Sequence, residues 1–158
     1  MLNPGVQLAC AETMMCAGRP AAALAFLEQA RTLARSSKVI RVLELRLGAW
    51  ASAALGVPRD ADAQLEEMWK LVRAHPGWRS RHEAALYQGI VDHVLRRFEA
   101  SLRALSESQV RARGALARAW VAWWILQAQR GAGLVSEAAE TERTLASSGV
   151  RSWFVPRP

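Results

Sequence analysis

Three histidines, two cysteines and a few neighbouring carboxylates are the side chains of this 158-residue chain best suited to metal binding or proton transfer. His82 and His93 are 11 residues apart, so on one helix they share a face but sit about 16 Å from each other along it. Neither has a carboxylate or a second histidine one turn away on that face, so the chelating pair a metal needs is missing. His75 stands before Pro76-Gly77, where it is expected to cap the last carbonyls of a helix. Cys10 and Cys16 on one helix point about 120° apart and cannot approach to the roughly 7 Å between Cα atoms that a disulfide tolerates. No C-x-x-C is present. Glu66-Glu67, Glu137 and Glu140 read as the solvent face of amphipathic helices. G-x-S-x-G, P-loop and G-x-G-x-x-G motifs are all missing. These patterns predict no catalysis, no metal and no cofactor.

Two residue types are left that could make contacts with a partner. Trp120, Trp123 and Trp124 follow one another on a single helical pattern. Trp123 is offset about 60° from Trp120 and about 100° from Trp124, so at least one ring is expected to be partly exposed. The plainest reading is core filling; the functional one is an aromatic anchor in a groove, where Trp and Arg are favoured. The net charge of +7 is concentrated in residues 73–118, with nine arginines against four acids. Arg79, Arg81, Arg96, Arg97, Arg103, Arg111 and Arg113 form the candidate basic face. Such a field attracts nucleic acid or acidic partners, although interleaved acids also fit an ordinary solvated helix surface.

The elements that must position these residues are helical. The chain has 30 alanines and 19 arginines, with 51% apolar residues and 22% charged. Residues that lose little on entering a helix therefore dominate over β-branched ones. Helix signals recur: Asn3-Pro4 opens a helix that Gly18 stops, Pro20 opens a second, Ser36-Ser37 a third and Asp60 or Asp62 a fourth. Ser80 and Glu83 form a capping box, and Ser106-Glu107-Ser108 marks a break. Whether residues 80–106 make one helix or two is open. The expected fold is all-α: four stacked antiparallel hairpins at about 4–35, 38–75, 80–107 and 109–147, in a single domain over 1–149 with an irregular tail at 150–158. The most apolar run, residues 119–126, is far shorter than the ~20 residues of a membrane span. With two unpaired cysteines, a soluble cytoplasmic protein is expected.

The hairpins repeat. Gly18, Gly56, Arg96 and Gly133 occupy the turns at intervals of 38, 40 and 37 residues. Five residues after each comes a small side chain (Ala23, Ala61, Ser101, Ala138). Seven before come Ala11, Ala49 and Gly89, with Leu126 departing. Nine after come Leu27, Leu65 and Leu105, with Glu142 departing. Small residues on both helices of a hairpin let the axes approach, while the leucine fills the groove.

On these residues, and on Arg97-Phe98-Glu99 at the third turn, the chain resembles the tetratricopeptide repeat superfamily. The longer period and the closing stretch 148–154 are similar to the helical repeats of MalT-type LuxR regulators, which sense inducers and assemble. The resemblance implies an α-solenoid whose first helices line a concave face. Positions six and three before each turn then face a partner: Glu12 and Met15, Trp50 and Ala53, Ile90 and His93, Gln127 and Arg130, with Arg46 and Trp123 one turn back. The expected function is non-catalytic binding of an acidic or amphipathic protein or peptide, as the sensory or assembly part of a transcription regulator. Alternatives are nucleic-acid binding by the basic middle and a small-molecule sensor with a Trp-lined cavity. End faces left open by stacking offer a homodimer contact.

Overall fold

Helix starts are written in short polar or proline signals. The Asn3 side chain accepts a hydrogen bond from the Gly5 amide at 2.8 Å, and Pro4 supplies the first-turn φ. Ser37 does the same for the Ile40 amide at 3.3 Å. The computed structural model of the chain describes residues 3–33, 37–75 and 78–149, with backbone only at 78–80. Among the described residues it contains eight helices and no strand: α1 (Pro4–Cys16), α2 (Pro20–Leu33), α3 (Lys38–Ala54), α4 (Pro58–Ala74), α5 (Trp78–Val94), α6 (Phe98–Arg111), α7 (Ala115–Gly131) and α8 (Val135–Ser147). The fold is all-α, and its helices pack as consecutive hairpins.

All four hairpin turns have the same geometry. Gly18, Gly56, Arg96 and Gly133 have φ of 69°, 75°, 61° and 75°. After each, the next amide reaches back five residues: Arg19 to Met14, Val57 to Ser52, Arg97 to Asp92 and Leu134 to Gln129, at 2.7–2.9 Å. This Schellman closure satisfies the last carbonyls of the first helix and turns the chain into the second. Residues 80–106 are therefore two helices, divided at Arg96. Arginine in a left-handed conformation crowds its own Cβ, so Arg96→Gly is expected to stabilise the protein by about 0.5–1 kcal/mol, after allowing for the larger entropy of an unfolded glycine. A rise in urea midpoint at unchanged slope is the result to look for.

The side chains around the turns meet as their spacing predicts. Ala23, Ala61, Ser101 and Ala138 are buried, as are Ala11, Ala49 and Leu126 and, nine past the turn, Leu27, Leu65 and Leu105. In the third hairpin a Cβ on Gly89 would lie 2.5 Å from Leu105 Cγ, so only glycine lets α5 and α6 come this close. Ser101 donates its hydroxyl to the Gly89 carbonyl at 2.7 Å across the same contact. The fourth hairpin departs: Glu142 is exposed and pairs with Arg130 at 3.0 Å.

The chain divides into two compact units, Met1–Pro76 and Gly77–Pro158. In each, the first helix of the second hairpin packs against both helices of the first: α3 on α2 and α1, and α7 on α6 and α5. Local boundaries differ from expectation. Neither Asp60 nor Asp62 caps α4, which starts after Val57 at Pro58. Residue 80 lies within α5, which begins two residues earlier; the Ser80 side chain falls outside the described residues. Ser106-Glu107-Ser108 continues α6, because Ser108 is buried and bonded to α5, and the break comes at 112–114. Residues 34–36 and the tail 150–158 lie outside the described residues.

In the first unit, α2, α3 and α4 are joined by charge. Buried Glu44 accepts from Arg31 Nε at 2.7 Å and from Arg41 Nη1 at 2.8 Å. Arg41 also holds Glu67 through both carboxylate oxygens. His75 caps α4 as expected, its backbone amide donating to the Leu71 carbonyl at 3.1 Å, while its ring Nε2 meets Lys38 Nζ of α3 at 2.7 Å.

Candidate functional site

Helix α7 carries two different faces. Val121, Trp124, Ile125 and Ala128 are buried. On another side, Leu116, Trp120, Trp123, Gln127 and Arg130 follow at intervals of three and four, which places them along one stripe about 21 Å long. Leu116 is 51% exposed, Trp120, Trp123 and Gln127 are half-buried, and Arg130 is exposed. The Trp120 and Trp123 rings stack with centroids 5.9 Å apart and planes within 10°. Trp124 stands edge-on to both, at 6.0 and 4.8 Å. A buried ring thus holds two partly exposed ones at fixed angles, a rigid aromatic ridge with little rotamer freedom left to lose on binding.

Behind the ridge, the His93 ring meets Trp124 at 5.6 Å and Phe98 at 5.8 Å. Phe98 in turn fills the space where Gly131 lacks a side chain. His93 Nδ1 is buried with no hydrogen-bond partner among the described residues. Loss of solvation pushes the imidazole below its ordinary value of 6.5. Because the folded protein resists protonation there, His93 favours folding fully only above about pH 6.5; stability is lost as pH falls through that value towards the lower folded one. Replacing His93 by Phe should flatten this part of the stability-against-pH curve, read by urea melts between about pH 7.5 and 5.

The other expected contact residues are dispersed by the fold. Met15, Trp50, Ala53 and Ile90 are buried, because small neighbours let the helices close over them. They belong to the interior of their units and are not presented as surface anchors. Glu12 and Arg46 are half-buried. Of the basic residues, Arg81 and Arg111 both pair with Glu107 at 3.2 and 3.3 Å, and Arg97 pairs with Asp92 at 3.6 Å. Arg96, Arg103 and Arg113 are exposed, and the Arg79 side chain lies outside the described residues. The stretch read as one basic face is therefore interrupted by Glu107 and Asp92.

A buried Ser–His contact was not visible from spacing. His82 Nδ1 lies 2.8 Å from Ser108 Oγ and 2.9 Å from the Ser108 carbonyl. A bond to that carbonyl, which can only accept, needs the proton on Nδ1; in the other tautomer Nδ1 accepts from the serine hydroxyl at 2.8 Å. Ser108 Oγ also lies 3.2 Å from the His82 carbonyl, to which it can donate. In either arrangement the pair clamps α5 to α6. No group of three or more metal-ligating side chains occurs among the described residues, and no helix there is long and apolar enough to cross a membrane. Comparison with protein-family models, curated proteins and solved structures finds no match.

Proposed function

We propose that this protein is a non-catalytic helical-repeat module that binds a segment of a partner protein along the α7 stripe. The observation that carries the reading is the ridge from Leu116 to Arg130, with two partly exposed tryptophans braced by a third that is buried. An amphipathic helix or extended segment laid along such a ridge would bury both rings and meet polar groups at Gln127. The second unit carries twelve arginines and seven carboxylates, which favours a partner segment with acidic flanks. The resemblance to tetratricopeptide-like repeats supports the same use and suggests a sensory or assembly role within a regulator.

The test is capture from the native lysate with the tagged full chain, with and without nuclease, beside a Trp120→Ala/Trp123→Ala variant checked for unchanged helicity. A discrete protein band that survives nuclease and disappears with the variant is expected. On the isolated partner the double truncation should cost at least about 2 kcal/mol, some thirtyfold in Kd. A band indifferent to the variant would remove α7 as the site. Bands lost with nuclease would replace this reading by nucleic-acid binding through Arg96, Arg103 and Arg113.

A further inference from the structure

We propose that His93 is the positioning residue of the α7 ridge, and that proton uptake on its buried nitrogen releases the ridge and weakens its hold on a partner. The consequence for binding rests on the partner reading above; the coupling of His93 to the ridge does not. The His93 ring, from α5, meets Phe98 of α6 at 5.8 Å and Trp124 of α7 at 5.6 Å, with planes inclined at 54° and 66°. Trp124 in turn backs Trp123 at 4.8 Å and Trp120 at 6.0 Å. His93 thus supports the ring that braces the two partly exposed ones.

The neutral ring suits this place and the charged one does not. His93 Nδ1 is enclosed and has no hydrogen-bond partner. With the proton on Nε2, Nδ1 is only an idle acceptor. Protonation puts an N–H on both nitrogens, so the enclosed one becomes a charged donor with nothing to accept from it. No carboxylate is placed to take that charge. On α5, Asp92 accepts from Gln88 Nε2 at 2.9 Å and pairs with Arg97 at 3.6 Å. At the turn and the start of α6 the charged neighbours are Arg96, Arg97 and the exposed Glu99. Helix α7 has Arg118 and Arg130 and no acidic residue along its length, and Glu142 of α8 pairs with Arg130 at 3.0 Å. None of these groups bonds to the imidazole. Burial, unopposed by any of them, is what holds its proton affinity down.

The imidazolium is relieved by turning out to water, which takes it off Trp124. Trp120 and Trp123 then lose the fixed backing that spares a partner the cost of ordering them. Proton and partner favour different forms of the same ridge, so each weakens the binding of the other by the same factor. One proton limits the rise in Kd to about tenfold for each pH unit below the folded value.

NMR of the full chain between about pH 7.5 and 5, with far-UV circular dichroism to confirm retained helicity, tests the coupling without a partner. The indole N–H signals of Trp120, Trp123 and Trp124, assigned by replacing each in turn with phenylalanine, are expected to move along the His93 titration curve. His93→Phe and His93→Gln take up no proton in this range, and either should leave those signals flat, which separates His93 from His75 and His82. For the protein captured through the ridge, Kd should rise at least about threefold over the same range, and neither variant should show that rise, whatever its Kd at pH 7.5. Indole signals that ignore the His93 titration, or that titrate equally in both variants, would overturn the proposal. So would His93-dependent binding that tightens on acidification, the sign of an imidazolium held over the Trp124 ring. Indole signals that follow His93, beside a capture band indifferent to Trp120→Ala/Trp123→Ala, would support the coupling and remove only the partner reading.

Discussion

Truncating Leu105 to alanine is expected to lower the stability of the second unit by about 3–4 kcal/mol. Leu105 is fully buried against Gly89, where the α5 and α6 axes approach most closely. The loss combines its transfer free energy with the cavity left between two backbones that glycine and serine already hold together. Gly89→Ala should also destabilise, because the new Cβ would lie 2.5 Å from Leu105 Cγ and 3.2 Å from the Ser101 carbonyl oxygen. The double variant should cost less than the two single effects added, since the alanine at 105 makes room for the alanine at 89. Urea denaturation of the four proteins decides the point; strict additivity would mean that the two residues do not share this contact. Glu142 occupies the same place in the fourth hairpin but is exposed, and Glu142→Ala should change stability by less than about 1 kcal/mol.

The second large effect is expected where burial and charge coincide. Removing both arginines, as Arg31→Ala/Arg41→Ala, leaves the buried Glu44 carboxylate without its two cationic partners. Stripping a buried ion of its partners costs about 3–5 kcal/mol. Both guanidiniums are partly hydrated, which places this case near the low end, at about 3 kcal/mol. Adding Glu44→Leu to the double variant should restore most of the loss, because an apolar side chain of similar size needs no partner there. Thermal or urea unfolding would show it. If the triple variant is no more stable than the double, the arginines act by covering apolar surface with their stems rather than by neutralising Glu44.

Much of this architecture was legible without coordinates. The turn positions stood out because reversing a helical chain within two residues demands a left-handed residue, and three of the four are glycine. Small side chains five after every turn, and seven before three of the four, were recognisable for a similarly local reason: two axes that approach closely exclude bulk at fixed offsets along each helix. Even the third turn, where arginine stands in for glycine, was found by its interval, and Arg96 has the same backbone conformation as its glycine counterparts.

Other features depend on which helix lies across from which, and a single helix's periodicity is silent on that. Trp50 and Met15 sit at the same offsets as Gln127 and Arg130, yet the first pair is buried and the second is partly or fully exposed. Glu44 reads in the sequence as one more surface acid, but Arg31 and Arg41 make its burial tolerable from thirteen residues upstream and from one turn away. The serines at 106 and 108 look like a cap, while Ser108 is buried against His82 from another helix. Local chemistry determined where the helices begin, where they reverse and how closely partners approach. Tertiary packing decided which tryptophans are core and which form a ridge, and which arginines are already committed to a carboxylate. Exposure is a property of the neighbour across the groove, not of the residue or of its spacing.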